Sequence, residues 1–511
     1  MTDATMTDKT ILTFDCGTTS SRVILYSPRD DGTLVARASS QREFAQHFPQ
    51  PGWVEHDADE IWQTSLGCAK AAMEAAHLSS TDISAIAITN QRETVVVWDR
   101  ATGRPIHRAI VWQDRRTEPL MRQLRDAGHE AQVRAATGLT LDPYFSASKI
   151  AWILDACEGA RDRAQRGELA CGTIDSWMLW NLTRGAVHAT DASNASRTML
   201  ARIGGTNGAQ WDDALCELMR VPRAMLPQIV DSSGAIATSD ASVLGAAIAI
   251  TGIAGDQQAA LYGQQCHTLG QAKCTFGTGC FLLANAGTES PAAPEGLLMT
   301  VAWRMNDVTT YAIEGGVFIG GSAVQWLRDG LKFFEHASDV NQLAASVPDS
   351  GGVVVVPGFA GLGAPWWDAN ARGAVLGLTR GSTNAHLSRA TLEGVAHQVV
   401  DLVEAIERAG ITIVMLRVDG GAAASDLLMQ IEADLLGKTV ERPRNLETTA
   451  LGAAMLAQRG LAMNVSARDH AASDDSIERR FDPTIDQHAR DAARTRWRNA
   501  IAAIRAFGHS S

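Results

Sequence analysis

Thr10-Ile11-Leu12-Thr13-Phe14-Asp15-Cys16-Gly17-Thr18-Thr19-Ser20-Ser21-Arg22-Val23-Ile24-Leu25-Tyr26 is the stretch on which the fold turns. Leu12 and Phe14, then Val23 and Leu25, alternate as strand residues do, and the turn between them is built of Asp, Gly and hydroxyls. Far along the chain, Ala272-Lys273-Cys274-Thr275-Phe276-Gly277-Thr278-Gly279-Cys280-Phe281-Leu282-Leu283 repeats the plan of strand, Gly-Thr turn and strand. Two copies of so short a pattern arise from a duplicated domain or by chance, and the pattern alone does not choose. A third turn, Asp419-Gly420-Gly421, follows the short strand Val414–Val418. It leads into a helix with Leu427, Leu428, Ile431 and Leu435 at helical spacing and Gly437 as its stop. Such a turn is either an anion site at a helix start or a bend that needs positive φ.

The spacing elsewhere predicts strands over Ile86–Thr89, Val95–Trp98 and Val353–Val356, and helices over Ala58–Ala76, Ala385–Arg408 and Asp491–Phe507. In the last helix Trp497, Ile501 and Ile504 form one apolar stripe, read as a docking face. Mixed strands and helices mean an α/β protein. A chain of 511 residues holds two to four domains at ~100–200 residues each, with a boundary expected near Gly252–Gln265. Ser466–Ile477 is polar and reads as a surface loop.

The formal charge is −12, so neither nucleic acid nor an anionic membrane is the expected partner. No uncharged stretch is long enough to span a bilayer, and Met1–Asp8 has neither a basic nor an apolar region, so no secretory signal is expected. Eight cysteines without a Cys-x-x-Cys pair resemble neither a disulfide framework nor a zinc site; the expected compartment is the reducing cytoplasm.

A nucleoside triphosphate site needs backbone N–H groups and hydroxyls against the phosphates and a carboxylate for Mg²⁺. Asp15-Cys16-Gly17-Thr18-Thr19-Ser20 supplies all of these, Gly277-Thr278-Gly279 a second grip and Asp419-Gly420-Gly421 a third. There is no Gly-x-x-x-x-Gly-Lys-Ser/Thr loop and no Gly-x-Ser-x-Gly elbow. Two hairpin loops on separate domains facing one nucleotide is the plan of the actin, hexokinase and heat-shock-chaperone class. The hairpins alone do not separate a kinase from a chaperone ATPase.

The chain resembles the FGGY carbohydrate kinases over nearly its whole length. Asp15–Arg22 is similar to that family's first phosphate loop, and Gly373–Glu393 carries its wider pattern. Asn90–Thr94, Trp112–Arg116, Asp142–Ser146, Ile253–Leu261 and Phe276–Phe281 are similar to members acting on glycerol rather than on a sugar. The resemblance implies two ribonuclease H-like (actin-like ATPase) domains, residues 1–260 and 261–511, with a catalytic cleft between them. It implies ATP, Mg²⁺ and glycerol as ligands and a homo-oligomer, dimer or tetramer. It also implies that Arg92, Glu93, Tyr144, Asp256 and Gln257 bind hydroxyls, that Trp112 and Phe281 pack on carbons, and that Asp256 is the general base. Asp15 would hold Mg²⁺, while Thr18, Thr19, Ser20, Arg22, Thr278, Gly321, Gln325, Gly421 and Ser425 would line the nucleotide site.

From the residues alone, Arg92–Glu93 is a surface ion pair beside a hairpin and Asp256 a turn residue or helix cap. Trp112, Tyr144 and Phe281 are core aromatics on the same reading, Gly321 serves helix packing and Gln325 is solvated. Three positions and one segment depart from the family pattern. Cys16 stands where Gln is common, Ser425 where Asn lies beside adenine, and Trp366 where Tyr is usual. Leu244-Gly245-Ala246-Ala247-Ile248 lacks the arginine with which some relatives clamp fructose 1,6-bisphosphate.

Overall fold

The computed structural model of the chain describes residues 10–204, 208–290, 292–445, 447–461 and 477–508. Met1–Asp8, and the polar stretch 466–477 save Ile477, lie outside the described residues.

The quoted hairpin forms as read. β1 (Thr10–Cys16) and β2 (Ser20–Pro28) pair antiparallel, with Asp15 opposite Arg22. Both faces of this sheet are covered, so its alternation sorts side chains between two cores. Leu12, Phe14, Val23 and Leu25 enter one core, and Ile11, Ile24 and Tyr26 the other. β3 (Leu34–Glu43), β4 (Ile83–Asn90), β5 (Ser233–Thr238) and β6 (Ala249–Gly255) complete six strands in the order β5-β6-β4-β1-β2-β3. α1 (Ala58–Ala75), started by the carboxylate of Asp57, covers the first face. α2 (Ser146–Ala156) lies in an inserted layer, and α3 (Ile174–Leu182) joins α1 against the sheet.

The second hairpin, β7 (Gln271–Phe276) and β8 (Cys280–Gly287), belongs to a seven-stranded sheet. With β9 (Leu298–Met305), β10 (Val308–Val317), β11 (Met415–Asp419), β12 (Val440–Pro443) and β13 (Ile477–Phe481) the order is β9-β10-β8-β7-β11-β12-β13. From β13 inward this is the first sheet again: an antiparallel edge strand, two parallel strands, the hairpin pair and a further antiparallel strand. The rungs correspond as well. Asp15 on β1 lies beside Thr89 on β4, and Thr275 on β7 beside Asp419 on β11. A shared strand order of this length chooses duplication over chance for the two Gly-Thr hairpins.

The chain crosses from one sheet to the other through α4 (Asp256–Gly263). Beyond it come α5 (Gly321–Asp329), α6 (Asn384–Arg408), α7 (Asp426–Leu436), α8 (Thr448–Leu461) and α9 (Gln487–Gly508). α6 and α7 cover one face of the second sheet. α8, late in the chain, packs instead on the first: Ala450, Ala453, Ala454 and Ala457 meet Ile11, Ile24, Ala85 and Ala254. Ala259 and Leu261 of α4 and Leu283 and Ala312 of the second sheet close the same core, so α4 and α8 lie between the sheets. α9 starts four residues earlier than its periodicity suggests, and its Trp497, Ile501 and Ile504 dock on Val356, Leu362 and Ala371. All eight cysteines are unpaired and seven are buried. Among the described residues no helix is long and apolar enough to cross a membrane.

Candidate active site

The first Gly-Thr turn is held from behind. Gly17 N–H donates to the Ser20 carbonyl at 3.0 Å, and Gln91 and Gln46 donate to the Gly17 and Thr18 carbonyls at 2.9 and 3.1 Å. Thr18, Thr19 and Ser20 are thereby left partly or fully exposed on a fixed loop. Asp15, at the end of β1, accepts from Arg22 at 2.8 Å, and Arg22 also pairs with Glu447 at 2.5 Å. Burial raises the Asp15 pKa and Arg22 opposes the rise. Cys16 points into the core beside Ser65, and burial pushes its thiol up to about 12.

Arg92 and Glu93 lie between β4 and the strand Val95–Asp99, which belong to different sheets. The segment is therefore a crossover, not a neighbour of a hairpin, and both side chains are buried rather than a surface pair. Glu93 sits at φ 59°, a strained backbone that its surroundings hold in place, with its carboxylate accepting from Arg197 at 2.7 Å. Asp256 opens α4, and its carboxylate lies 3.3 Å from Arg92 Nε. That carboxylate is about one-third exposed and otherwise walled by protein; desolvation lifts its pKa to about 6, against the pull of Arg92. Tyr144 places its hydroxyl 3.4 Å from Arg92 Nη2 and its ring edge-on to Trp112, with centroids 5.6 Å apart. Trp112 in turn donates from Nε1 to Thr18 Oγ1 at 3.0 Å, which joins this pocket to the first turn. Gln257 accepts from the fully buried Lys273 on β7, which leaves its amide NH₂ to face elsewhere.

The second sheet carries the remaining residues singled out in the sequence. Phe281 on β8 is half-buried, paired with Gly316 of β10. The Thr278 carbonyl accepts from Gly320 N–H and Ser322 Oγ, both at 2.8 Å, and Gly321 N–H donates to the Gly277 carbonyl, so the second turn is tied to the start of α5. Gln325 is exposed one helical turn further on. Gly420 has φ 87° and leaves no room for a side chain against Phe276, so for this residue the tight-turn reading is correct; Gly421 faces open space. Ser425 caps α7 by accepting from Leu428 N–H at 3.1 Å and touches Asn341.

Profiles of the FGGY family of carbohydrate kinases match the chain, the N-terminal domain over residues 10–263 and the C-terminal domain over 272–461. The chain belongs to this family. A glycerol kinase of Aromatoleum aromaticum is 54% identical over 97% of this chain and 99% of that one. The crystal structure of Plasmodium falciparum glycerol kinase with ADP superposes with a TM-score of 0.89 at 32% identity, covering 97% of this chain and 98% of that one. Xylulose kinase from Rhodospirillum rubrum shares the fold, with a TM-score of 0.84 at 23% identity over 98% and 100% of the two chains.

Several residues of this FGGY kinase escape a reading by motif. Glu314 on β10 and the fully buried Arg197 complete a four-membered charge cluster with Arg92 and Glu93. Ser193 fixes the backbone before Asp256 by accepting from Gly255 N–H at 3.0 Å. Lys149, buried in α2, donates to the Tyr144 and Phe145 carbonyls at 2.6 and 3.0 Å, and burial lowers its pKa to about 7. The signal that marks Lys149 and Arg197 is their complete burial, which only the folded chain shows, since such groups are rarely left unpaired.

Proposed function

We propose that this FGGY kinase transfers the γ-phosphoryl group of ATP to a terminal hydroxyl of glycerol in the cytoplasm, giving sn-glycerol 3-phosphate and ADP, the first step of glycerol utilisation. The observation that carries the reading is the joined pocket: Asp256 against Arg92, with Trp112 bonded to the Thr18 of the first turn. The resemblance to glycerol kinases at 54% identity supports the same substrate. A triol offers only hydroxyls and a short carbon chain, so selectivity needs fixed polar partners and an apolar wall. Arg92, Glu93, Tyr144, Asp256 and Gln257 bind the hydroxyls, and Trp112 and Phe281 pack on the carbons. Asp256 takes the proton as the hydroxyl oxygen bonds to the γ-phosphorus and the bond to the β-phosphate oxygen breaks. No covalent intermediate is needed, and positioning with electrostatic stabilisation supplies the acceleration.

Thr18, Thr19, Ser20 and Arg22 cradle the phosphates from residues 1–260. Thr278, Gly321, Gln325, Gly421 and Ser425 line the nucleotide from residues 261–511. Closure of the two halves excludes water from the transfer. Mg²⁺ commonly takes one or two carboxylates and fills its shell with water and phosphate oxygens. A single carboxylate, Asp15, beside the first turn fits that mode, and among the described residues no cluster of three acidic, His or Cys ligands offers a cage. The ion neutralises charge on the phosphates when bound. By the same resemblance the protein works as a homo-oligomer, a dimer or tetramer.

An ATP-coupled assay across polyols and ketoses tests the reading. By the same resemblance Trp112 and Phe281 stand where a ketopentose needs room beyond its third carbon, and overpacking costs ~1–3 kcal/mol before any misplacement of the attacking hydroxyl. Glycerol therefore exceeds xylulose or ribulose in kcat/KM by about a hundredfold or more. A ketopentose used as well as glycerol would promote a pentulose kinase in its place.

A further inference from the structure

Glu314 stands on β10 of the second sheet, yet its carboxylate is engaged by arginines from the first half of the chain. Oε2 accepts from Arg92 Nη1 at 2.5 Å, and Oε1 from Arg92 Nη2 at 2.9 Å and Arg197 Nη2 at 3.2 Å. The guanidinium of Arg92 is thus gripped at its fork, whose two nitrogens also reach Gln258 Oε1 at 3.3 Å and Tyr144 Oη at 3.4 Å. Only the Nε edge is left toward Asp256, at 3.3 Å. A guanidinium prefers to meet a carboxylate fork to fork, and Asp256 is the nearest alternative acceptor with an open side.

We propose that Glu314 is a positioning residue for phosphoryl transfer: by occupying the fork of Arg92 it keeps that fork off Asp256, whose carboxylate stays free to accept a proton. The proposal rests on the reading of Asp256 as the base of a glycerol kinase reaction. The surrounding charges agree with it. Burial alone would raise the Glu314 pKa, but Arg197 and Arg92 overcome this and hold it at about 2, so the group is ionised at any working pH. The other charged groups facing Asp256 are Glu93 on the Arg92 crossover and Lys273 on β7; Lys273 also faces Glu314. With Glu314 neutralised, the Arg92 fork keeps only the neutral Gln258 and Tyr144 oxygens, and the carboxylates left for it are Glu93, already held by Arg197, and Asp256.

The test is Glu314→Gln, read in two ways. Carbon-13 NMR of the aspartate carboxyls follows Asp256 in the substrate-free protein, with Asp256→Asn identifying its resonance. The pH dependence of kcat/KM for glycerol at saturating ATP follows the same group in turnover. The Asp256 midpoint falls from about 6 by about one unit or more, and the acid limb moves with it. At pH 7.5, where the base is ionised in both proteins, kcat drops by up to ~10-fold for each unit of basicity lost, while ATP affinity stays within about twofold. Glu314→Asp keeps the charge on a stem too short to span both Nη atoms and gives an intermediate midpoint. An unmoved Asp256 titration in the Gln variant overturns the proposal; should that variant not fold, a wild-type midpoint in the Asp variant does so alone. A shifted midpoint in a protein whose wild type does not phosphorylate glycerol would sink the substrate instead and leave the positioning of Arg92 standing.

Discussion

Replacing Gly452 by alanine tests whether the packing of α8 against α4 sets the geometry of Asp256. A Cβ on Gly452 would lie 1.8 Å from the Ala259 carbonyl oxygen, 2.6 Å from its carbon and 2.8 Å from Gly263 N, all backbone atoms of α4. An ordinary contact begins near 3.4 Å, so the helices must part by about 1.6 Å. α8 cannot easily yield, because its own backbone is pressed onto β6: a Cβ on Gly252 would meet Ala457 N at 2.5 Å. α4 is a helix of eight residues that moves as a unit, with Asp256 as its first residue. A shift of ~1 Å in a reacting group costs ~10²-fold in rate, and overpacking costs ~1–3 kcal/mol of stability. At ~2–4 °C per kcal/mol for a unit of this size, Tm falls by about 2–12 °C. Calorimetry at one scan rate and steady-state turnover read both effects, with Gly381→Ala, an exposed position with only a hydroxyl at 3.8 Å, as the neutral control. A Gly452→Ala protein with wild-type Tm and kcat would refute the argument from close approach.

Asp256→Asn keeps the fold and ATP binding but lowers turnover on glycerol by ~10²–10⁴-fold, checked by coupled assay and by nucleotide titration of the purified variant. Because the base must be ionised and its pKa is raised to about 6, kcat/KM is flat above neutrality and falls about tenfold per pH unit once the pH drops below that value; a profile without an acid limb there removes Asp256 from the role. Fructose 1,6-bisphosphate at millimolar concentration leaves the rate unchanged, since Gly245–Ile248 offers no guanidinium; a clear dose response would point to another basic site. Phe281→Ala raises KM for glycerol more than it lowers kcat, as expected when a wall contributes equally to ground and transition states, and the reverse split would assign the ring to the transition state.

The two hairpins were legible because their signals are local: alternating apolar residues on either side of a Gly and a hydroxyl. The family match likewise located Arg92, Tyr144, Trp112 and Asp256, which the fold brings together. Burial of the Arg92–Glu93 pair was beyond reach of the residues themselves, because the groups that make it tolerable, Arg197 and Glu314, lie more than a hundred positions away. The local role of Ser425 was out of reach in a different way. Its hydroxyl is spent on capping α7, a choice that depends on where that helix begins, while Asn341 arrives beside it from another helix. Periodicity also could not say which sheet α8 would cover, since a helix rich in alanine carries the same stripe whatever it meets.

The placement of α8 imposes an order of events during synthesis. The last strand of the first sheet, β6, ends at Gly255, and the helix that shields one face of that sheet begins at Thr448, about 190 residues later. At ~5–20 residues per second a ribosome needs about 10–40 s to cover that distance. Throughout that interval Ile11, Ile24, Ala85 and Ala254 have no permanent cover on the α8 side, however well their hydrogen bonds have formed. The nascent chain therefore waits half-wrapped until its second half has emerged, and that wait is the period in which it most needs protection from its neighbours.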